Sequence, residues 1–342
     1  MDTPSNLTSR FNFLDYIKGI LIFLVVYGHI IQFVEYKDSG LFWFDPVYKI
    51  IYMFHMPLFM AISGFLAYNS IQKKSFYDIF KSRIKTLIVP IVFFAVLKFT
   101  LSLIWDSDFI LRQLPATFIK AIIGNLWFLW ALFYATVIVA FMRKYNFDKP
   151  VFFALALIVF LILPDRYDSS LYKFTFFYFL LGYLVAQYSI HTYFQNSIKR
   201  NNILLFISVL LSIFFFFIWN KNMYVYISGM QILSMNIFTV LLRFLIGIVC
   251  SIAFLLFFLK VYEWRPAPGI IELGKNSIYI YILQDIAVFL FKTSTLPEFN
   301  SLLFTITVAP IVALVVVFVS LYIGNFSQRW RLMQVAFGRF NR

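Results

Sequence analysis

The sequence predicts an all-α, polytopic transmembrane helix bundle of about ten helices with both termini cytoplasmic. Three observations carry that expectation. Of the 342 residues, 62% are hydrophobic and 13% charged, against roughly 45–50% apolar and ~25% charged in a soluble chain; the mean hydropathy is +0.85. Such a composition has too little polar surface to clothe a water-soluble particle, which excludes soluble all-β, collagen-like and disordered readings. Apolar runs approaching the ~20 residues that cross a bilayer recur at 14–34, 48–70, 86–105, 124–142, 150–164, 171–188, 202–219, 233–259, 270–291 and 301–324. The basic residues alternate between connecting segments: eighteen Lys and Arg fall in the set that includes both tails, eight in the other set. The positive-inside rule places the richer set in the cytoplasm.

This alternation accounts for most of the net charge of +14. The chain therefore reads as a partner of anionic membrane lipids, with no nucleic-acid site. A lone cysteine, Cys250, excludes an internal disulfide framework and a cysteine-rich metal site. The loops leave no room for a soluble domain, so residues 1–342 read as one transmembrane domain, with 325–342 a short basic cytoplasmic tail. The first apolar run is full length and holds Asp15, Lys18 and His29, so it reads as helix one and not as a cleavable signal.

The first run, LDYIKGILIFLVVYGHI, places Lys18 and His29 eleven residues apart. That is about three turns, so both project to nearly the same side, about 16 Å apart along the axis. Asp15 stands three residues before Lys18 and can pair with it. An ionisable group at a bilayer centre costs roughly 2.5–3.5 kcal/mol, which makes each one informative. Lys18 reads as a phosphate contact at the inner mouth or as a side chain that snorkels to lipid. His29, in the outer half, reads as a base or as a packing hydrogen bond.

In the second run His55 falls in the outer half, Pro57 is expected to kink the helix beside it, and Ser63 and Gly64 permit close helix approach. With two histidines and no third ligand evident, no metal is expected. Ahead of the third run, Lys81, Arg83 and Lys85 gather at the cytoplasmic entry; Arg83 and Lys85 suit phosphate as well as topology. The fourth run opens with Asn125, Trp127 and Trp130 at the outer face, where tryptophan forms interfacial belts and also suits a sugar ring. The eighth run is long and is expected to tilt or break near Gly247. The ninth carries Gln284 and Asp285 in its outer half, with Asp285 a candidate to orient a histidine or to pair with another buried polar group. Lys98 and Arg243 are intramembrane cations without an evident partner in sequence.

Taken together, LDYIKGILIFLVVYGH (14–29), FHMPLFMAISGFL (54–66), KSRIKTLIVP (81–90), NLWFLWALF (125–133), FYFLLGYLVA (177–186) and LGKNSIYIYILQ (273–284) resemble the acyltransferase-3 family of membrane O-acyltransferases, nearest its fucose-4-O-acetylase-like, surface-polysaccharide branch. The resemblance implies ten helices in a bacterial inner membrane. It also implies transfer of an acyl group, usually acetyl, from cytoplasmic acetyl-CoA or another acyl-CoA to a hydroxyl of an extracytoplasmic or lipid-linked cell-surface carbohydrate. Its basic residue followed eleven positions later by histidine maps onto Lys18 and His29; many members carry Arg where Lys18 stands, and Lys keeps the charge but loses the bidentate fork. Its small motif in helix two maps onto Ser63 and Gly64, and its arginine at the entry to helix three onto Arg83. Members often end the helix-nine motif in His, where this chain has Gln284.

Under that reading His29 is catalytic, either as the base that takes the acceptor proton or as a nucleophile that forms an acyl-histidine, with His55 its catalytic companion that orients it or donates to the oxyanion. Lys18, Arg83, Lys85 and Ser63 face the donor, with Asp15 positioning Lys18. Asn125, Trp127, Gln284 and Asp285 face the acceptor. The rival reading is a multi-pass transporter of a glycan, a lipid-linked sugar or a proton-coupled solute, for which intramembrane His, Lys and Asp suit equally well. A second rival is an assembly subunit without catalysis.

Overall fold

The computed structural model describes residues 4–105, 118–119, 122–124, 126–192, 197–233, 237–292, 299 and 301–339. The protein is an all-α polytopic bundle, with no strand among the described residues. Its helices are α1 (Pro4–Ile30), α2 (Pro46–Lys73), α3 (Phe76–Arg83), α4 (Val89–Trp105), α5 (Trp127–Lys144), α6 (Pro150–Ile162), α7 (Ser169–Gln187), α8 (Ile198–Ile218), the single turn α9 (Val225–Ser228), α10 (Ile237–Trp264), α11 (Pro268–Lys275), α12 (Ser277–Lys292), α13 (Leu302–Ser327) and α14 (Arg331–Ala336). Eight stretches among the described residues are long and apolar enough to cross a membrane, α3 and α4 forming one of them. Two more of the expected spans are shorter. Helix α6 has 13 residues, about 20 Å at 1.5 Å per residue, against a ~30 Å hydrocarbon core.

The ninth expected span is two helices. At Asn276, between α11 and α12, the side-chain amide donates to the Glu272 carbonyl at 3.0 Å and the Glu272 carboxylate at 2.6 Å. That local bonding competes with the helical ladder and turns the chain. The eighth span, in contrast, runs unbroken through Gly247. The glycine there is a packing site: a Cβ would collide with the Tyr178 hydroxyl and press on Pro57. The Tyr178 hydroxyl donates to the carbonyls of Arg243 and Phe244. Helix α2 likewise continues through Pro57 to Lys73.

Two glycine crossings set the centre of the bundle. A Cβ on Gly64 would overlap the Phe179 carbonyl, and one on Gly182 the Ala61 carbonyl, so α2 and α7 meet backbone to backbone. Across α1 and α11, a Cβ on Gly274 would strike the Asp15 carbonyl and one on Gly19 the Ile270 carbonyl. This second crossing lies beside Lys18. The basic end of the bundle is closed by residues 331–339 folding back: Phe337 is buried between Phe94 and Tyr279, and Arg339 lies over the Tyr279 ring.

Candidate active site

At the basic end of α1, Lys18 and Asp15 form an ion pair at 2.7 Å, each less than a quarter exposed. Lys18 lines a cavity of about 190 Å³ with Ser63 of α2, Arg83 of α3, and Met56, Phe128 and Tyr281 above them. Three polar residues from three separate sequence motifs thus meet at one void. The Ser63 hydroxyl donates to the Phe59 carbonyl at 2.8 Å, so its proton is spent on its own helix and it meets the void as an acceptor. Lys85 stands apart on the exposed side of its turn and does not line the cavity.

Three turns up α1, the His29 ring is partly exposed. Its Nδ1 lies 2.8 Å from Gln284 Oε1. The Gln284 amide nitrogen donates to the Tyr281 carbonyl at 3.2 Å, which fixes the orientation of the amide and turns its oxygen to the histidine. An amide oxygen only accepts, so Nδ1 carries the proton and Nε2 carries the lone pair. Nε2 makes no hydrogen bond to any described residue. Directly after these residues the backbone widens into π turns, Ile31–Glu35 after His29 and Ile84–Ile88 after Arg83. Such turns re-aim the side chains around them and occur often at functional sites.

Asp285 does not orient the histidine. It pairs with Lys98 of α4 at 2.7 Å, and that pair lies within electrostatic reach of His29. The partner of His29 is the neighbouring Gln284, 255 residues away in sequence. His55 is buried, and its Nδ1 donates to the Ile51 carbonyl at 2.7 Å. With that proton spent on the backbone, neutral His55 has none left to give an oxyanion. It is within electrostatic reach of His29, and the Tyr52 ring stands edge-on to it at 4.6 Å. Gly28 makes room for Tyr52, whose ring would lie 3.1 Å from a Cβ at that position. Trp127 opens α5, 6.2 Å from Phe128. Asn125 lies outside the described residues.

Lys98 and Arg243, without partners in the linear sequence, are both engaged. Arg243 bonds the carbonyls of Asn222 and Gly229 and the Ser228 hydroxyl. A polar junction that the sequence did not single out closes the low-charge end: the Thr305 hydroxyl lies 2.7 Å from Glu35 Oε1 and 3.0 Å from Asp45 Oδ2, while Asp45 also caps α2 through the amides of Val47 and Tyr48. Burial, with Asp45 and Glu35 adding to it, pushes the Tyr36 phenol up to about 12, so it stays protonated and donates to Asp45 at 3.2 Å. No group of three or more metal-binding side chains forms among the described residues.

The sequence profile of the acyltransferase domain family Acyl_transf_3 matches residues 11–325. Among curated proteins, the nodulation protein NolL of Mesorhizobium japonicum is 30% identical over 338 residues, covering 95% of this chain and 89% of its own length. The NolL protein of Sinorhizobium fredii is 29% identical over 299 residues, covering 84% of this chain and 80% of its own. No solved structure matches. With the profile covering nearly the whole chain and the helices apolar enough to span a bilayer, this chain belongs to the acyltransferase-3 family and is a multi-pass membrane acyltransferase.

Proposed function

We propose that the protein moves an acetyl group from acetyl-CoA, supplied at the basic face, to a hydroxyl of a cell-surface or lipid-linked glycan at the low-charge face, in a bacterial inner membrane. The observation that carries this reading is the alignment on one helix of a cationic cavity mouth, Lys18 with Arg83, and an imidazole held in a single tautomer three turns further on. The basic face is then cytoplasmic, where acyl-CoA is made. A void of about 190 Å³ is smaller than the ~300–1,000 Å³ of sites for drug-sized ligands. It suits a thin acyl-thioester arm, with the nucleotide phosphates left at the mouth on Lys18 and Arg83.

In this mechanism the acceptor hydroxyl attacks the thioester carbonyl while Nε2 of His29 takes its proton. Gln284 holds the Nδ1 proton throughout and keeps the lone pair on the reacting nitrogen. Collapse of the tetrahedral adduct breaks the C–S bond. The thiolate leaves with the proton returned by the imidazolium, so His29 ends as it began. Asp15 positions Lys18 and takes no part in proton transfer. His55, bonded to the backbone, shapes the wall next to His29. The test is free-thiol release from acetyl-CoA by the purified protein in nanodiscs with envelope oligosaccharides added. Thiol release that depends on oligosaccharide supports the transferase; oligosaccharide movement across the bilayer with no thiol released supports the transporter.

A further inference from the structure

Residues 219–231, between α8 and α10, form an irregular segment at the low-charge end that is pinned by three charged side chains. Arg243, 1% exposed on α10, bonds the Asn222 and Gly229 carbonyls and the Ser228 hydroxyl. Asp165 accepts from the amides of Met230 at 2.6 Å and Gln231 at 3.1 Å. Lys173 in turn holds Asp165 at 2.6 Å. Gly229 takes φ +73° with Asp165 against it, a backbone that favours glycine. Burying a guanidinium and an ion pair beside a membrane is costly, and such groups are found where they serve irregular backbone or a site.

The clamp fixes two tyrosines whose rings both neighbour Trp43 and Tyr52 but differ in burial. Tyr224 is buried against Trp43 and Trp219. Tyr226 is 47% exposed. Its ring stands 6.3 Å from Tyr52, the residue edge-on to His55. It also stands 6.3 Å from Trp127, with the two ring planes at 89°. An exposed tyrosine and a tryptophan thus make an open right-angled corner one residue away from the histidine wall. Aromatic faces pack against the C–H face of a pyranose, and the polar tips of Tyr and Trp suit its hydroxyls.

We propose that Tyr226 and Trp127 form the subsite that seats the sugar ring of the acceptor, with Arg243 the residue that positions it. This rests on the transferase reading given above. The corner turns a pyranose edge toward His29 and selects ring-shaped acceptors over simple alcohols.

The test uses the full chain in nanodiscs, labelled acetyl-CoA, and oligosaccharides released from the envelope glycan by mild acid. Transfer rates are measured against each substrate, and oligosaccharide binding is measured separately by tryptophan fluorescence. Tyr226→Ala raises the KM for oligosaccharide about tenfold, the scale of one lost aromatic contact. It leaves the KM for acetyl-CoA within twofold, and Tyr226→Phe leaves both within twofold. Arg243→Lys shows a weaker form of the same split. If the residue only belongs to an interfacial belt, Tyr226→Ala lowers membrane abundance without moving either KM, Tyr226→Leu restores abundance, and the subsite is refuted. If wild type transfers no label yet binds oligosaccharide in a Tyr226-dependent way, the subsite stands and the transferase reading falls. Absence of both transfer and binding overturns both.

Discussion

Replacing Gln284 by methionine removes the acceptor from the His29 Nδ1 proton while nearly keeping the side-chain volume. The bond is 2.8 Å long, and Gln284 is 1% exposed, so no solvent replaces it easily. A buried hydrogen bond contributes about 0.5–1.5 kcal/mol net. At 1.4 kcal/mol per tenfold, release of the ring lowers the population with its lone pair on Nε2 and correctly aimed by about two- to twelvefold. Transfer of labelled acetyl from acetyl-CoA, at matched membrane abundance, is expected to fall by that factor in kcat, with the KM for acetyl-CoA unchanged. Gln284→Glu keeps an oxygen at the same place and retains more activity than Gln284→Met. Full activity of Gln284→Met would refute the idea that this amide sets the tautomer used in catalysis.

Other consequences are more local. Lys18→Ala raises the KM for acetyl-CoA more than that for the acceptor, and Lys18→Arg is better tolerated; equal effects of the two in steady-state kinetics count against a phosphate contact. Gly274→Ala forces α1 and α11 apart beside Asp15 and lowers stability by about 1–3 kcal/mol, read as a drop in the unfolding midpoint in detergent. Breaking the Lys98–Asp285 pair from one side, as in Asp285→Leu, leaves a charge uncompensated and costs up to ~3–5 kcal/mol. The double variant Lys98→Met/Asp285→Leu recovers most of that loss in the same assay. The Thr305 hydroxyl has one proton for two carboxyl groups; Glu35→Gln brings its own donor and keeps the midpoint, whereas Glu35→Leu lowers it.

The helices were legible because hydropathy is a local property. Each apolar run holds helix among the described residues, and basic residues bracket the runs. Asn276 gives no local sign, since the apolar pattern passes through it, and only its bonds to Glu272 reveal the turn. Gly247 misled in the other direction: a glycine in a long helix suggests a hinge, while its actual use is to admit Tyr178 from another helix. Lys18 and Asp15 lie one turn apart, so their pair could be read directly. The partners of His29, Lys98 and Arg243 lie 255, 187 and 14–21 residues away. Which of Gln284 and Asp285 met His29 depended on the rotation of α12 about its axis, and no feature of the local pattern encodes that angle. Glu35 gives no local sign, since it sits at the end of an apolar run, although Thr305 and the π turn bury it fully.

In the proposed mechanism His29 carries the proton in acyl transfer across the bundle. The most direct test is incorporation of label from acetyl-CoA into envelope glycan by membranes holding wild type or His29→Ala at equal abundance. Label is expected in glycan with wild type, and background alone with His29→Ala. Equal labelling by the two proteins would contradict this mechanism and leave His29 a packing residue.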